Sequence, residues 1–493
     1  MVLASAAAAP ALAQEGDGVT LEEVVRATLA ANADIRGATL ELEAQGAAVR
    51  AAAGAWDPVT AARVSSASER IPRLVSDGTP GIQESRSLAY ALQADHPFRS
   101  GVVVSPSLAF SRTDAAAGDG SGSANSGVAA VGVTVPLLRG RGGGMAAAGE
   151  RSSRALEGAA RAALRHRQAR AVVAAAEAYW GYAAAEARLA VLVRAEARSE
   201  RILEQTRALV EADARPAVDL LPLQANLASR RAARISGERA RVAARQELGR
   251  AIGADADEVL HLGAAATPLP EPPPAAERSA PPAAAAPRQD VEAARREREA
   301  ARRLLGGFRG DARPRLDLGV ALGYQGVEAG TEAARLVSPF YSVQGGVQTR
   351  VELVYGFPLR NRAAGGAAAE ARVRERLAAL REAEMARQAA LDAAAAGEIL
   401  LRSAEELDHF ATAAALHAAA VESETLRFRL GTATIFDIIN AEEGLTSATL
   451  AEIDARSRYA VALARLRFHA GVLDGDPART APLTRWEDSD DGR

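Results

Sequence analysis

Cysteine is absent from the 493 residues, which excludes disulfides, thiolate metal sites, thiol catalysis and a lipid anchor on an N-terminal cysteine. Lysine is absent as well, so all 59 basic residues are arginine, a compositional bias rather than a functional signature. Aromatic residues make up only 4%, which suits long helices rich in Ala, Arg, Glu and Leu better than several compact mixed cores. There is no basic excess either: a net charge of -3 argues against nucleic acid as a partner, because phosphate binding needs clustered positive charge. No stretch offers the roughly 20 uninterrupted apolar residues of a membrane helix.

What is present begins with "MVLASAAAAPALAQEGDG". Val2 to Leu12 is apolar and small, and Ala11-Leu12-Ala13 is an A-x-A cleavage site before Gln14, the end of a secretory signal peptide. The missing charged n-region implies a start codon placed late. An Ala-rich first helix is the competing reading, and Pro10 would break it. An exported chain without an apolar helix is periplasmic, secreted, or built into an outer membrane as strands.

The chain is written twice, and such repeats should be found before anything else. "NADIRGATLELEAQGAAVRAAAGAWDP" (Asn32 to Pro58) has a partner in "RQDVEAARREREAARRLLGGFRGDARP" (Arg288 to Pro314). Each predicts a helix of about 22 residues ending where a strand begins. "VTVPLLRGRGGG" (Val133 to Gly144) matches "YGFPLRNRAAGG" (Tyr355 to Gly366), and each opens a proline-free helical run. The runs, about Met145 to Ala212 and Ala363 to Leu430, would each be roughly 100 Å long at 1.5 Å per residue. "ALVEADARPAVDLLPLQANLASRRA" (Ala208 to Ala232) then matches "RFRLGTATIFDIINAEEGLTSA" (Arg427 to Ala448), with Asp219 on Asp437 and Leu227 on Leu445. Each copy is a short break followed by a return helix. The organisation expected is a signal peptide remnant over 1–13 and a first repeat over 14–263 with about four strands. A proline-rich linker over 264–287 follows, then a second repeat over 288–475 with two strands and an acidic disordered tail over 476–493.

The strand segments alternate. In "PRLDLGVALGYQ", Leu316, Leu318, Val320, Leu322 and Tyr324 share one side, while in "VQTRVELVYGF", Val347, Val351, Leu353, Tyr355 and Phe357 oppose Gln348, Arg350 and Glu352. Strands of about ten residues with one apolar and one charged face suit a membrane barrel with a wet interior. A soluble antiparallel sheet would show the same alternation. The first copy is longer by the length of one hairpin, with alternating runs at Ser87 to Ala94 and Val102 to Ser111. Six strands per chain follow, four in the first half and two in the second.

On these features the chain resembles the TolC-type outer-membrane efflux channel family. "VTLEEVVRATLAANADIRGA" is similar to the family's opening, "VPLLRG" to its strand-to-helix junction, "ADARPAVDLLPLQANLASRRA" to its first helical turn and "RLGTATIFDIINAEEGLTSA" to its second. The resemblance implies a mainly α fold with a membrane β-barrel portion: a duplicated helix–strand–long helix unit forming a trimeric α-helical barrel plus an outer-membrane β-barrel. It also implies a homotrimer in outer-membrane lipid that reaches into the periplasm and works with a periplasmic adaptor and an inner-membrane pump. Four strands per chain, twelve per trimer, are the family's usual number. Six would give eighteen, unless the additional hairpin lies outside the barrel as a flap.

The resemblance also assigns site residues. An aperture constriction falls on Asp437, Asn440 and Asp219. Three symmetry-related Asp437 carboxylates would attract cations. Asn440 puts a neutral amide where the family has its second acid and so removes a ring of charge, and Asp219 also reads as a cap. Asp437 or Thr434 capping the return helix is the alternative. Family positions with a tyrosine and an arginine that lock the closed state are Phe428 and Ala433 here, so that lock lacks its hydroxyl and its charge. Adaptor docking falls on Leu430, Gly431 and Thr432, and on Ala212, Asp213 and Ala214. Gly431 also reads as a left-handed helix cap.

Other motifs carry no chemistry. "GRGGGM" has no βαβ unit around it. His96, His166, His261, His409, His417 and His469 have no metal spacing, and no nucleophile and base converge. The reading is a passive exit duct of an efflux or type I secretion assembly, with no cofactor and no enzyme activity. A periplasmic coiled-coil spacer without a pore is the alternative.

Overall fold

The computed structural model describes residues 18–74, 78, 80–117, 120–213, 215–278, 288–330, 338–341, 345–473 and 483. The expected signal peptide, residues 279–287 of the linker, Ala214 and all of the acidic tail but Leu483 lie outside the described residues. The elements in chain order are α1 (Leu21–Ala31), α2 (Ala33–Ala53), β1 (Val59–Leu74), β2 (Pro80–Pro97), β3 (Val103–Ala117), β4 (Gly120–Pro136), α3 (Gly144–Glu211), α4 (Leu220–Ile252) and α5 (Ala256–Leu260). Then come α6 (Gln289–Asp311), β5 (Arg315–Ala329), β6 (Gly345–Gly356), α7 (Arg362–Arg429) and α8 (Ile435–His469). Two compact units result. A sheet unit is built from Glu43–Ala159 and Arg295–Arg381, and a helical unit from Met1–Leu42, Ala160–Ala294 and Glu382–Arg493.

In the sheet unit all six strands pair in the order β1-β2-β3-β4-β5-β6, each antiparallel to its neighbour. The additional hairpin, β2 with β3, sits inside this sheet rather than beside it. Registered rows keep one chemistry per face, as a period of two demands. Val64, Tyr90 and Phe110 are successive partners, as are Val133, Val320 and Val351, all on one face. The opposite face carries Arg63, Ser65, Gln348, Arg350 and Glu352. The apolar face is open to its surroundings, with Val351 68% and Leu353 63% exposed. Further along β1, β2 and β3 the same face turns charged, with Arg70 paired to Glu84 at 2.9 Å and Arg112 to Asp114 at 3.2 Å. This continuation makes the strands 12 to 18 residues long, longer than the apolar band alone predicted.

The strand-to-helix junction needs a glycine. Gly143 sits at φ +81, and a Cβ there would lie 2.7 Å from the Trp56 ring and 2.8 Å from the Arg99 carbonyl. One turn into α3, the buried Glu150 carboxylate accepts from Trp56 Nε1 at 2.8 Å and from the Arg99 and Arg154 guanidinium groups at 3.0 and 2.6 Å. A buried carboxylate is stable only with such partners.

The helical unit closes around Tyr179 and Trp180, both fully buried with Val24, Val25, Leu248 and Ile252. Truncating either aromatic would cost about 3–5 kcal/mol. A second cluster joins Leu400, Ala404 and Leu407 of α7 to Tyr459 and Leu463 of α8. Alanine at the contacts lets these helices approach closely, and arginine–carboxylate pairs brace their rims, including Arg198–Glu442 and Arg465–Glu177, both at 2.6 Å. The described start of the linker is fastened into this core. Val19 forms a parallel bridge with Ala265, Thr267 N–H donates to the Tyr179 hydroxyl at 2.8 Å, and Ala265 N–H donates to Glu186 at 2.8 Å. Side chains of α3 satisfy backbone groups that have no ladder of their own. Among the described residues, no helix is long and apolar enough to cross a membrane.

Candidate functional site: the paired helical turns

Both expected turns lie in the helical unit, where α3 reverses into α4 and α7 into α8. The second is made by local chemistry. Gly431 takes φ +76, its N–H donates to the Phe428 carbonyl at 3.0 Å, and Thr432 N–H donates to the Arg427 carbonyl at 2.9 Å. This is the Schellman pattern that closes a helix C-terminus. Three residues later Thr434 starts α8 with a capping box. Its hydroxyl accepts from Asp437 N–H at 3.3 Å, and the Asp437 carboxylate accepts from the Thr434 hydroxyl and backbone N–H, both at 2.7 Å. These two donors hold the Asp437 carboxyl below the ordinary aspartate range, so it stays ionised well into acid.

Thr434 is therefore the N-cap and Asp437 its reciprocal partner. Asp437 and Asn440 lie exposed, one helical turn apart on the same face, together with Phe436 at 61% exposure. Leu430 is 70% exposed, and Gly431 and Thr432 are open as well, whereas Ala433 is buried.

The first turn is made differently. Asp213 adopts φ +56, a region that Asp tolerates better than most residues, and its N–H donates to the Val210 carbonyl at 3.0 Å. Ala212 and Asp213 are exposed; Ala214 lies outside the described residues. Pro216 precedes a single 3-10 turn over Ala217–Asp219, and Asp219 makes no side-chain cap to α4. Its carboxylate lies 3.6 Å from the Arg215 guanidinium instead. Val218 and Leu221 are about 70% exposed, so apolar side chains flank both turns.

Arg215 is the residue that sequence reasoning missed. Its guanidinium carbon stands 4.3 Å from the centre of the Phe428 ring, within cation–π range, and ties the first turn to the second. Phe428, which has no hydroxyl, still holds the turns together, through its π face. Below it Leu203, Leu223, Leu227 and Ile435 form a small buried cluster. The sequence signal was a cation four residues before an acid in "RPAVD"; the ring it stacks on is more than 200 residues away. No group of His, Asp and Glu side chains among the described residues is arranged to hold a metal.

Comparison with known proteins bears on the fold that carries these turns. Residues 82–254 match the family model described as outer membrane efflux protein. No protein of curated function matches the chain. Among solved structures, the outer-membrane channel OprN superposes with a TM-score of 0.63 at 18% identity, covering 92% of this chain and 89% of that one. The outer membrane protein VceC from Vibrio cholerae gives 0.63 at 16%, covering 92% and 96%. The open state of the MtrE outer membrane channel of Neisseria gonorrhoeae gives 0.62 at 18%, covering 93% and 90%. The chain has the fold of TolC-type outer-membrane efflux channels, and the resemblance read from its sequence holds.

Proposed function

We propose that this chain is the outer-membrane exit duct of a tripartite efflux or type I secretion assembly, working as a homotrimer that extends into the periplasm. The observation that carries the reading is the six-stranded sheet. Toward the junction end one face carries the apolar side chains and is most open at β6, where Val347, Val351 and Leu353 are all more than 60% exposed, while the other carries Arg63, Gln348, Arg350 and Glu352. A water-soluble sheet buries its apolar face on a core; a barrel wall in lipid shows it outward. The channel fold shared with OprN, VceC and MtrE supports the same conclusion. Transport through the duct is passive, and energy comes from an inner-membrane pump.

The helical turns are the partner-facing end. Leu430, Gly431 and Thr432, with Ala212, Asp213 and Ala214, form the surface for a periplasmic adaptor. The exposed Val218, Leu221, Leu430 and Phe436 supply apolar contact area for it. Asp437, Asn440 and Asp219 line the aperture. Asp437 brings the strongest negative field, because Asp219 is already paired with Arg215 and Asn440 is neutral. The test is fractionation. A heat-modifiable trimer in outer-membrane fractions is expected, and a monomer in the soluble periplasmic fraction would overturn the duct.

A further inference from the structure

The sheet of one chain is open, with β1 and β6 at its two edges. Their unpaired backbone donors and acceptors are a liability in water and untenable in lipid. Five consecutive antiparallel pairings separate the edges, so β1 and β6 run in opposite directions and can pair antiparallel across two copies. Resting on the trimer reading above, we propose that β6 of each copy pairs with β1 of the next. All six strands then enter the wall, giving an eighteen-stranded barrel with Glu352 opposite Arg63 of the neighbouring copy.

The register follows from the observed pairings. A line of partners from Arg63 passes through Ala91, Ala109, Val128 and Gln325 and ends on Gly346. Placing Glu352 opposite Arg63 shifts the ladder by the six residues between Gly346 and Glu352. That offset repeats once per copy. At about 3.3 Å per residue and about 4.8 Å between strands, it tilts the strands by about 35°, which lies in the range that barrels adopt.

Two further features agree with this register, and its ion pair sets it apart from the one two residues lower. It lays the whole of β6, Gly345–Gly356, against Val59 to Arg70 of β1 without overhang at the junction end. It sets Val351 beside Val64 on the apolar face, and a negative beside a positive side chain on the polar face. The register two residues lower would oppose Arg350 to Arg63. The wall is then about 34 Å across, backbone to backbone, against about 22 Å for the twelve strands the resemblance implies. The backbone wall is then half as wide again as that of a twelve-stranded barrel.

The absence of cysteine makes the test clean. Ala67→Cys with Gln348→Cys puts two thiols opposite each other on the polar face only if β6 meets β1. Ser111→Cys with Gln348→Cys does so only if the β1–β2 end of the sheet stands outside and β6 meets β3. Each pair is oxidised in outer-membrane vesicles and run on denaturing, non-reducing gels, with an unheated sample scored for the native trimer. The expected result is covalent dimers and trimers from the first pair and none from the second or from single cysteines. Cross-linking by the second pair, or an intact trimer with no link from the first, overturns the eighteen-stranded wall alone. Loss of the trimer in the cysteine-free parent overturns the duct reading and this proposal with it. As a check on register, Arg63→Glu is expected to lower the heat resistance of the trimer and Glu352→Arg in the same chain to restore it; absence of rescue rejects that register.

Discussion

The two helical turns occupy equivalent places in the duplication and start their return helices by different means. Gly431 and Asp213 both take the left-handed backbone, and each donates its N–H to the carbonyl three residues back, but the second turn adds a side-chain capping box where its helix restarts. The first has a proline where its counterpart has Thr434, so no side-chain oxygen caps α4. It relies on Arg215, which stacks on a ring of the other turn. Helix ends always leave unsatisfied backbone groups. Here the second copy caps its return helix with a side chain of its own, and the first adds a contact made only after both copies fold. The second turn should therefore be the stiffer element and the first the more adjustable one.

The contrast breaks most readily at the glycine. Nothing lies within 4 Å of a Cβ at Gly431, so Gly431→Ala is penalised by backbone conformation alone, about 1–2 kcal/mol. Amide exchange around residues 430–436 is expected to quicken by about tenfold, while Asp213→Gly leaves the first turn as slow or slower. Equal effects of the two changes would abolish the distinction. Next in size, Arg215→Ala is expected to cost about 1 kcal/mol. It should quicken exchange in the first turn and spare the Thr434 capping box. Arg215→Lys should restore little, because a compact ammonium does not stack as a planar guanidinium does.

The acids sharpen the comparison in function. In single-channel recordings, Asp437→Ala is expected to reduce cation selectivity or alter conductance clearly, and Asp219→Ala only slightly, since Arg215 already offsets that charge. No change with Asp437→Ala would remove it from the aperture. The smallest effect is with pH. The Asp437 carboxyl titrates below the usual aspartate value of 3.8 because Thr434 donates two hydrogen bonds to it. A depressed folded value stabilises the fold above the unfolded value and ceases to do so as pH falls through the folded one. Acidification below about pH 4 should therefore loosen the second turn selectively, and Asp437→Asn should remove that sensitivity.

Much of this was legible in the sequence because it is periodic or punctuated. The absence of proline from α3 and α7, and the glycine at 431, mark helix limits to within a residue or two, since backbone chemistry at such points is local. Alternation placed four of the six strands and the duplication implied the other two, but their lengths were underestimated where the face changes from apolar to charged at Arg70 and Glu84. Composition shows the linker only as a proline-rich segment and says nothing of how its start is held, where Thr267 and Ala265 are tied down by Tyr179 and Glu186. Those ties, and Arg215 on Phe428, join residues far apart in the chain, and no local pattern encodes them.

The bridge between Val19 and Ala265 and the pair between Arg465 and Glu177 also set an order of events. The helical unit draws on three stretches of chain, the last beginning at Glu382, so it cannot be completed until nearly all of the polypeptide has been delivered. Loop closure over such separations is entropically slow. Completion of the helical unit is therefore expected to be a late and concerted step, made only once its third stretch is available.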